Sequence, residues 1–201
     1  MKTSISPGVR SIRARYRIAA TLLLAGLCMA QAAPAAAQAR ATAAPSPTRA
    51  QALEIAKIRG LIERQRPRDA IAAAEDALKR FPGNTQIRFL QGVALTDAGR
   101  PQDAISAFEA LVKDHPELAE PYNNLAVLHA SQGNLGAARD ALEQSVRVVP
   151  DYGLAYENLG DLYLRMAQEA YERAASVTKP SPDARRKLSL ARSLSEKINT
   201  P

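Results

Sequence analysis

The chain has 201 residues, of which 46% are hydrophobic, and it contains no tryptophan. That length allows one modest domain. The formal net charge of +7 would suit a nucleic-acid-binding protein, but five of the 27 basic residues and none of the acidic ones fall within residues 1–39. Since the rest of the chain has only two more basic than acidic residues, we expect no nucleic-acid partner.

Residues 1–39 have the organisation of a secretory signal peptide. A basic stretch ends at Arg17 and is followed by an apolar run from Ile18 to Ala30. This run has 13 residues, fewer than the roughly 20 that cross a bilayer. Cleavage is predicted after Ala37-Gln38-Ala39, with Ala30-Gln31-Ala32 as the second candidate.

An uncleaved N-terminal membrane anchor is the alternative interpretation of this segment. Gln31, Pro34 and Gln38 interrupt the alanine-rich tail that would lengthen the apolar run, so cleavage is favoured. The basic region and cleavage site look bacterial, which predicts a periplasmic protein with no stable membrane insertion after processing. The only cysteine, Cys28, would be removed with the leader, leaving neither a disulfide nor a thiol nucleophile.

Residues 40–50 contain two prolines and few residues that could pack, and they are predicted to form a flexible linker. From residue 51 onward the chain repeats with a period of 34, as the dipeptides Phe81-Pro82, His115-Pro116 and Val149-Pro150 show. The same spacing relates further small residues and prolines: Ala70, Ala104 and Ala138, Gly99 and Gly133, Pro67 and Pro101. A period of this size indicates stacked units that bury their apolar faces against one another.

Each unit carries two apolar stripes of helical spacing, separated by a break. In the second unit the first stripe includes Phe89, Gly92 and Leu95, and the break falls at Gly99. The second stripe of that unit comprises Ala104, Ile105, Phe108, Leu111 and Val112. The pattern predicts an all-α fold built of helical hairpins.

These small-residue, aromatic and proline positions resemble the tetratricopeptide repeat (TPR) family. The resemblance implies an α-solenoid over residues 51–197, with three full repeats at 51–84, 85–118 and 119–152. The first repeat departs from the family pattern at Gln65, where glycine is usual. Its helix pair is therefore expected to be the least regular.

The fourth unit, residues 153–178, begins on schedule but lacks its turn. Ala167 stands where a glycine is due, and the spacing from Tyr156 to Tyr171 is five residues shorter than the spacing between the matching residues Tyr122 and Leu142. The apolar spacing of three and four continues without loss of phase. The pattern predicts one fused helix over about 153–177 rather than a hairpin.

A last helix is predicted over residues 182–197, with Leu188, Ala191 and Leu194 on its apolar side. We expect it to fold back on the long helix as a terminal cap, because solenoid ends need a polar outer face. The alternative is that the exposed apolar edge of the long helix is a docking or dimerisation surface.

The sequence offers no constellation typical of an enzyme. The two histidines, His115 and His129, have no second histidine or carboxylate at metal-ligand spacing, and no phosphate-binding loop or nucleophile elbow is present. We therefore predict no catalytic residues, no metal and no cofactor.

The resemblance implies instead that the first helix of each unit lines a groove that binds an extended peptide or a partner helix. Ten candidate groove residues follow from it: Arg59, Gln86, Phe89, Asn123, Asn124, Val127, Glu157, Asn158, Asp161 and Arg165. Asn124 and Asn158 are 34 residues apart, and a carboxamide can hold a peptide backbone because it both donates and accepts. The alternative, that they cap or bridge neighbouring helices, is left open by the sequence.

The function predicted from these features is that of a periplasmic scaffold or adaptor whose groove binds another protein or a peptide. A second hypothesis is a self-assembling structural protein that forms a homodimer through the long helix 153–177.

Overall fold

The computed structural model describes residues 47–179 and 181–199, and all regular secondary structure in these ranges is helical. The helices are α1 (Pro47–Glu63), α2 (Pro67–Arg80), α3 (Thr85–Asp97), α4 (Pro101–Asp114), α5 (Ala119–Ser131), α6 (Leu135–Val148), α7 (Gly153–Ser176) and α8 (Ala184–Asn199). The predicted signal peptide and most of the predicted linker lie outside the described residues. The linker prediction is wrong for residues 47–50, which belong to α1, since the fixed φ of Pro47 suits the first turn of a helix.

The helices follow the 34-residue period of the sequence. First helices α3, α5 and α7 begin at Thr85, Ala119 and Gly153, and second helices α2, α4 and α6 begin at positions 67, 101 and 135. Each helix packs on its neighbours in the chain, and the first helices also meet directly, α1 with α3 and α5 with α7. The molecule is therefore an all-α solenoid, as predicted.

The three regular hairpins share one turn. Its central residue has a left-handed backbone at Gln65 (φ 57°), Gly99 (φ 71°) and Gly133 (φ 82°). The amide that follows closes the turn on the helix behind it, and in the second hairpin the Arg100 N–H donates to the Leu95 carbonyl at 3.0 Å. At this turn the first hairpin is as regular as the others, although Gln65 must adopt a conformation that favours glycine.

The fourth unit has no such turn, and α7 runs through the place where it is due. The helix has 24 residues, which corresponds to a length of about 36 Å. Its second half is covered by α8: the Gln168 side chain donates to the Ala191 carbonyl at 2.9 Å, and Arg192 pairs with Glu172 at 2.7 Å. The fused helix and the capping helix were both predicted.

The apolar side of α8 differs in part from its prediction. Ala191 is buried and Leu188 is half-buried, but Leu194 is 49% exposed and Leu190 is 61% exposed. The two exposed leucines lie away from the ridge that contacts α7, because a helix on an open end has a neighbour on one side only.

The core depends on close helix contacts at small residues. Gly92 of α3 faces Phe108 of α4 so closely that a Cβ at position 92 would lie 2.6 Å from the ring. Phe108 is fully buried, and the Phe89 ring packs on it with a centroid distance of 5.8 Å.

Among the described residues, no helix is long and apolar enough to cross a membrane.

Candidate functional site

The candidate site is the face formed by the first helices of the stack, which lines the concave side of a solenoid. All ten predicted groove residues lie on these helices. Arg59 is on α1, Gln86 and Phe89 are on α3, Asn123, Asn124 and Val127 are on α5, and Glu157, Asn158, Asp161 and Arg165 are on α7.

The ten residues differ in accessibility. Glu157 is exposed, and Arg59, Gln86, Phe89, Asp161 and Arg165 are partly buried. Asn123, Asn124, Val127 and Asn158 are at most 2% exposed. These four therefore lie beneath the surface that the other six form, and the three asparagines make a buried polar cluster.

Two of these asparagines link α5 to α7. The Asn158 Nδ2 donates a hydrogen bond to the Asn123 Oδ1 at 2.7 Å, and both side chains are buried. A bond in this environment stabilises the contact between the two first helices, because breaking it would leave a buried acceptor without a partner. Asn158 thus bridges neighbouring helices in this structure, which is one of the two roles that the sequence allowed.

Asn124 is equivalent to Asn158 by the repeat but has no such bond. Its Nδ2 and Oδ1 are both buried without a hydrogen-bond partner among the described residues, and the same is true of the Asn123 Nδ2. The residue that precedes Asn123 by one period is Phe89. By the repeat, Phe89 corresponds to the acceptor residue Asn123, and an aromatic ring has no amide oxygen that could accept from Asn124.

The charged end of the face is on α7. The Arg165 Nη1 donates to the Ala130 carbonyl at 2.7 Å, near the C-terminus of α5, and its Nε lies 3.8 Å from Glu169. A cation at this end of a helix is favourable because the last carbonyls carry partial negative charge. Arg165 therefore ties α7 to α5 as Asn158 does.

Sequence reasoning missed Asp97 as a member of this face. Asp97 ends α3, is partly buried, and precedes Arg165 by two periods of 34. The repeat period was the signal that could have identified it, because equivalent positions of a solenoid line the same face.

A further buried polar group lies at the turn before α7. The Tyr152 hydroxyl is buried with no hydrogen-bond partner among the described residues. Burial raises the pKa of Tyr152 above its ordinary value, and the negative charge of Glu120 adds to the effect. The side chain is therefore neutral at physiological pH and acts as a packing residue.

Within the described ranges, no group of three or more histidine, cysteine, aspartate or glutamate side chains could hold a metal ion. His115 pairs with Glu117 at 3.3 Å in an exposed loop, whereas His129 is partly buried on α5. The two histidines therefore lie in different local environments.

The family follows from a comparison with family models. The tetratricopeptide repeat model matches residues 55–119, 94–147 and 123–179. The chain belongs to the tetratricopeptide repeat family. Its three matched stretches cover the hairpins and extend through α7, so the fused helix is part of the TPR array.

Solved TPR structures share this architecture. The crystal structure of MamA protein is 26% identical, with a TM-score of 0.52, over 74% of this chain and 85% of that one. TTC0263, a thermophilic TPR protein of Thermus thermophilus, is 18% identical, with a TM-score of 0.55, over 74% and 86%. The structure of Naa15/Naa10 bound to HypK-THB is 15% identical, with a TM-score of 0.52, over 74% of this chain and 24% of that one. A comparison with curated protein sequences gave no match.

Proposed function

We propose that this protein is an exported TPR scaffold that holds an extended segment of another protein against its first helices. The TPR array supports a protein-interaction scaffold as the general role. The observation that carries the finer proposal is the carboxamide of Asn124, which is 2% exposed and has neither of its polar atoms paired among the described residues.

An unpaired buried carboxamide costs about 1–3 kcal/mol. A peptide backbone offers both an N–H and a carbonyl, so it can pair both ends of Asn124 at once. The free Asn123 Nδ2 lies on the adjacent residue of α5 and adds a second donor. A small outward movement of α5 side chains would open this pair to the groove, which is common when a side chain meets its ligand.

The surrounding face suits a polar segment rather than an apolar one. Glu157, Asp161 and Asp97 bring negative charge, while Arg59 and Arg165 bring positive charge at separate places. Charges of both signs favour one register of a bound chain over others. The backbone contacts to Asn123 and Asn124 would supply affinity independent of the ligand sequence.

Site-specific photo-crosslinking in intact cells tests this proposal. A photoreactive residue at Glu157, exposed on the proposed face, is expected to trap a distinct partner. The same label at Glu109, exposed on second helix α4, serves as the control and is expected to trap none. Substitution of Asn124 by Ala should reduce trapping about tenfold, the loss of one to two net hydrogen bonds. Equal trapping at both positions, or trapping unaffected by N124A, would overturn the groove assignment.

The periplasmic location is the second part of the proposal and rests on the signal-peptide pattern of residues 1–39. Fractionation of cells and N-terminal sequencing test it. The expected product is periplasmic and begins at Arg40, or at Ala33 if the second candidate site is used. An unprocessed N-terminus in the membrane fraction would support the anchor instead.

A further inference from the structure

One side of α7 carries a regular apolar seam. Its members recur at alternating intervals of four and three residues: Tyr156, Gly160, Tyr163, Ala167, Ala170, Ala174 and Val177. This is the spacing at which two helices pack along one another in a coiled coil. Tyr156, Tyr163 and Val177 are 52%, 49% and 54% exposed. Gly160 and Ala170 are also exposed, whereas Ala167 and Ala174 are partly buried. The Tyr163 hydroxyl lies 3.5 Å from Glu143 of α6, so most of the seam, but not all of it, is open to a partner.

The repeat explains why this seam is open. Gly160 follows Gly92 and Ala126 at intervals of 34. Gly92 is covered by Phe108 of its own hairpin, and Ala126 is 1% exposed in its hairpin. A Cβ built on Gly160 has no described atom within 4 Å. The seam is therefore the inner face of a TPR hairpin whose second helix was merged into the first.

The two halves of the seam complement each other in size. The N-terminal half holds both tyrosines, and the C-terminal half holds alanines and Val177. Two copies of α7 in antiparallel orientation would place each tyrosine opposite a small residue, whereas parallel copies would crowd tyrosine against tyrosine. Large residues facing small ones allow close packing of helices.

The charges favour the same arrangement. Residues 153–163 carry Glu157 and Asp161 and no basic side chain, while residues 164–199 hold eight basic and four acidic side chains. Antiparallel copies bring the acidic first half of one α7 beside the basic second half and α8 of the other. Parallel copies would bring like charges together, which opposes association.

We propose that α7 pairs with α7 of a second copy of this chain, antiparallel and about a two-fold axis near Ala167. Each copy then supplies the second helix that the other copy's fourth hairpin lacks. This surface is self-complementary, as a two-fold interface must be. The seam and the candidate groove share helix α7 but have no residue in common.

Light scattering on the purified full-length chain, over a range of concentrations, provides the first test. The unaltered chain is expected to be a dimer. Ala170→Glu, at an exposed seam position, should weaken the dimer at least about tenfold by placing a carboxylate in an apolar contact. The matched control is Ala110→Glu, the same change at an exposed position of α4, and it should leave the dimer intact. Circular dichroism establishes that each variant is folded, and Val177→Glu replaces Ala170→Glu if that variant does not fold.

Disulfide formation tests the orientation in a Cys28→Ala background. Chains with Tyr163→Cys should crosslink readily to chains with Ala170→Cys, and each should crosslink poorly to itself. A monomer at every concentration, a dimer insensitive to both seam variants, or crosslinks between like positions would each overturn the proposal. A partner protein bound to the seam of a monomeric chain would also overturn it.

Discussion

Asn158 of α7 reaches back 35 residues to Asn123 of α5, and its Nδ2 donates to the Asn123 Oδ1 at 2.7 Å in a buried environment. Its repeat equivalent Asn124 has both polar atoms unpaired among the described residues. Asn124 and Asn158 occupy equivalent positions of the repeat, yet only the Asn158 side chain bonds to a neighbouring helix. One period before Asn123 the chain has Phe89, which offers no amide oxygen as an acceptor.

Alanine at each of these asparagines should separate the two roles. Asn158→Ala removes a buried donor and leaves the Asn123 Oδ1 without its partner, so we expect a loss of about 1–3 kcal/mol in the free energy of unfolding. Asn124→Ala removes a group that is already unpaired, and its cost should be below about 1 kcal/mol. Urea denaturation of both variants measures this contrast. Equal losses would mean that the bond contributes little.

A second pair of equivalent positions, Gly92 and Gly160, should respond to alanine with opposite signs. Gly92→Ala brings a methyl group to within 2.6 Å of the Phe108 ring and should cost about 1–3 kcal/mol through overpacking. Gly160→Ala meets open space on an exposed helix face and should gain about 0.5–1 kcal/mol, because alanine is the better helix former.

Thermal and urea unfolding measure both variants. The Ala170→Glu background removes any contribution from α7 association at position 160. A stable Gly92→Ala variant would show that Phe108 can move aside at little cost.

The turn residue Gln65 should be improvable by glycine. Its φ of 57° costs a side-chain-bearing residue about 1–2 kcal/mol, part of which is offset by the greater freedom of glycine in the unfolded chain. Gln65→Gly is therefore expected to raise the free energy of unfolding by about 0.5–1 kcal/mol. The converse change, Gly133→Gln, has the space it needs but the wrong backbone and should destabilise the chain. Calorimetry on both variants decides the point; a destabilised Gln65→Gly would contradict it.

Tyr152 should make the protein less stable in alkaline solution. Because its pKa is raised in the folded state, the unfolded chain loses the phenolic proton first, and stability is lost as pH rises above about 10. In Tyr152→Phe this decline should be shallower. At pH 7 the variant should lie within about 0.5 kcal/mol of the unaltered chain, since the hydroxyl has no partner among the described residues. Urea unfolding from pH 7 to 11 follows both, and parallel curves would count against the assignment.

The helices and their order could be predicted because they depend on local periodicity. Hairpins of 34 residues, the missing turn at Ala167 and the helix after Pro182 each follow from spacing within a few turns of chain. The candidate groove on the first helices came from the resemblance to the TPR family, and it stays a prediction. Spacing could not give the burial of individual side chains. Asn123, Asn124 and Val127 were predicted to line a groove, yet all three are at most 2% exposed.

By itself, the sequence determined the helical hairpins, their period and the fused fourth unit, because each apolar stripe must be buried against a neighbouring unit. Only the tertiary structure decided that Asn158 is paired while Asn124 is not, and that the face around Gly160 is uncovered. The first depends on the side chain that another unit places opposite, 35 residues away along the chain, and the second on whether any helix packs on that face of α7. Contacts of that range are properties of the packed array, and a single unit read alone does not contain them.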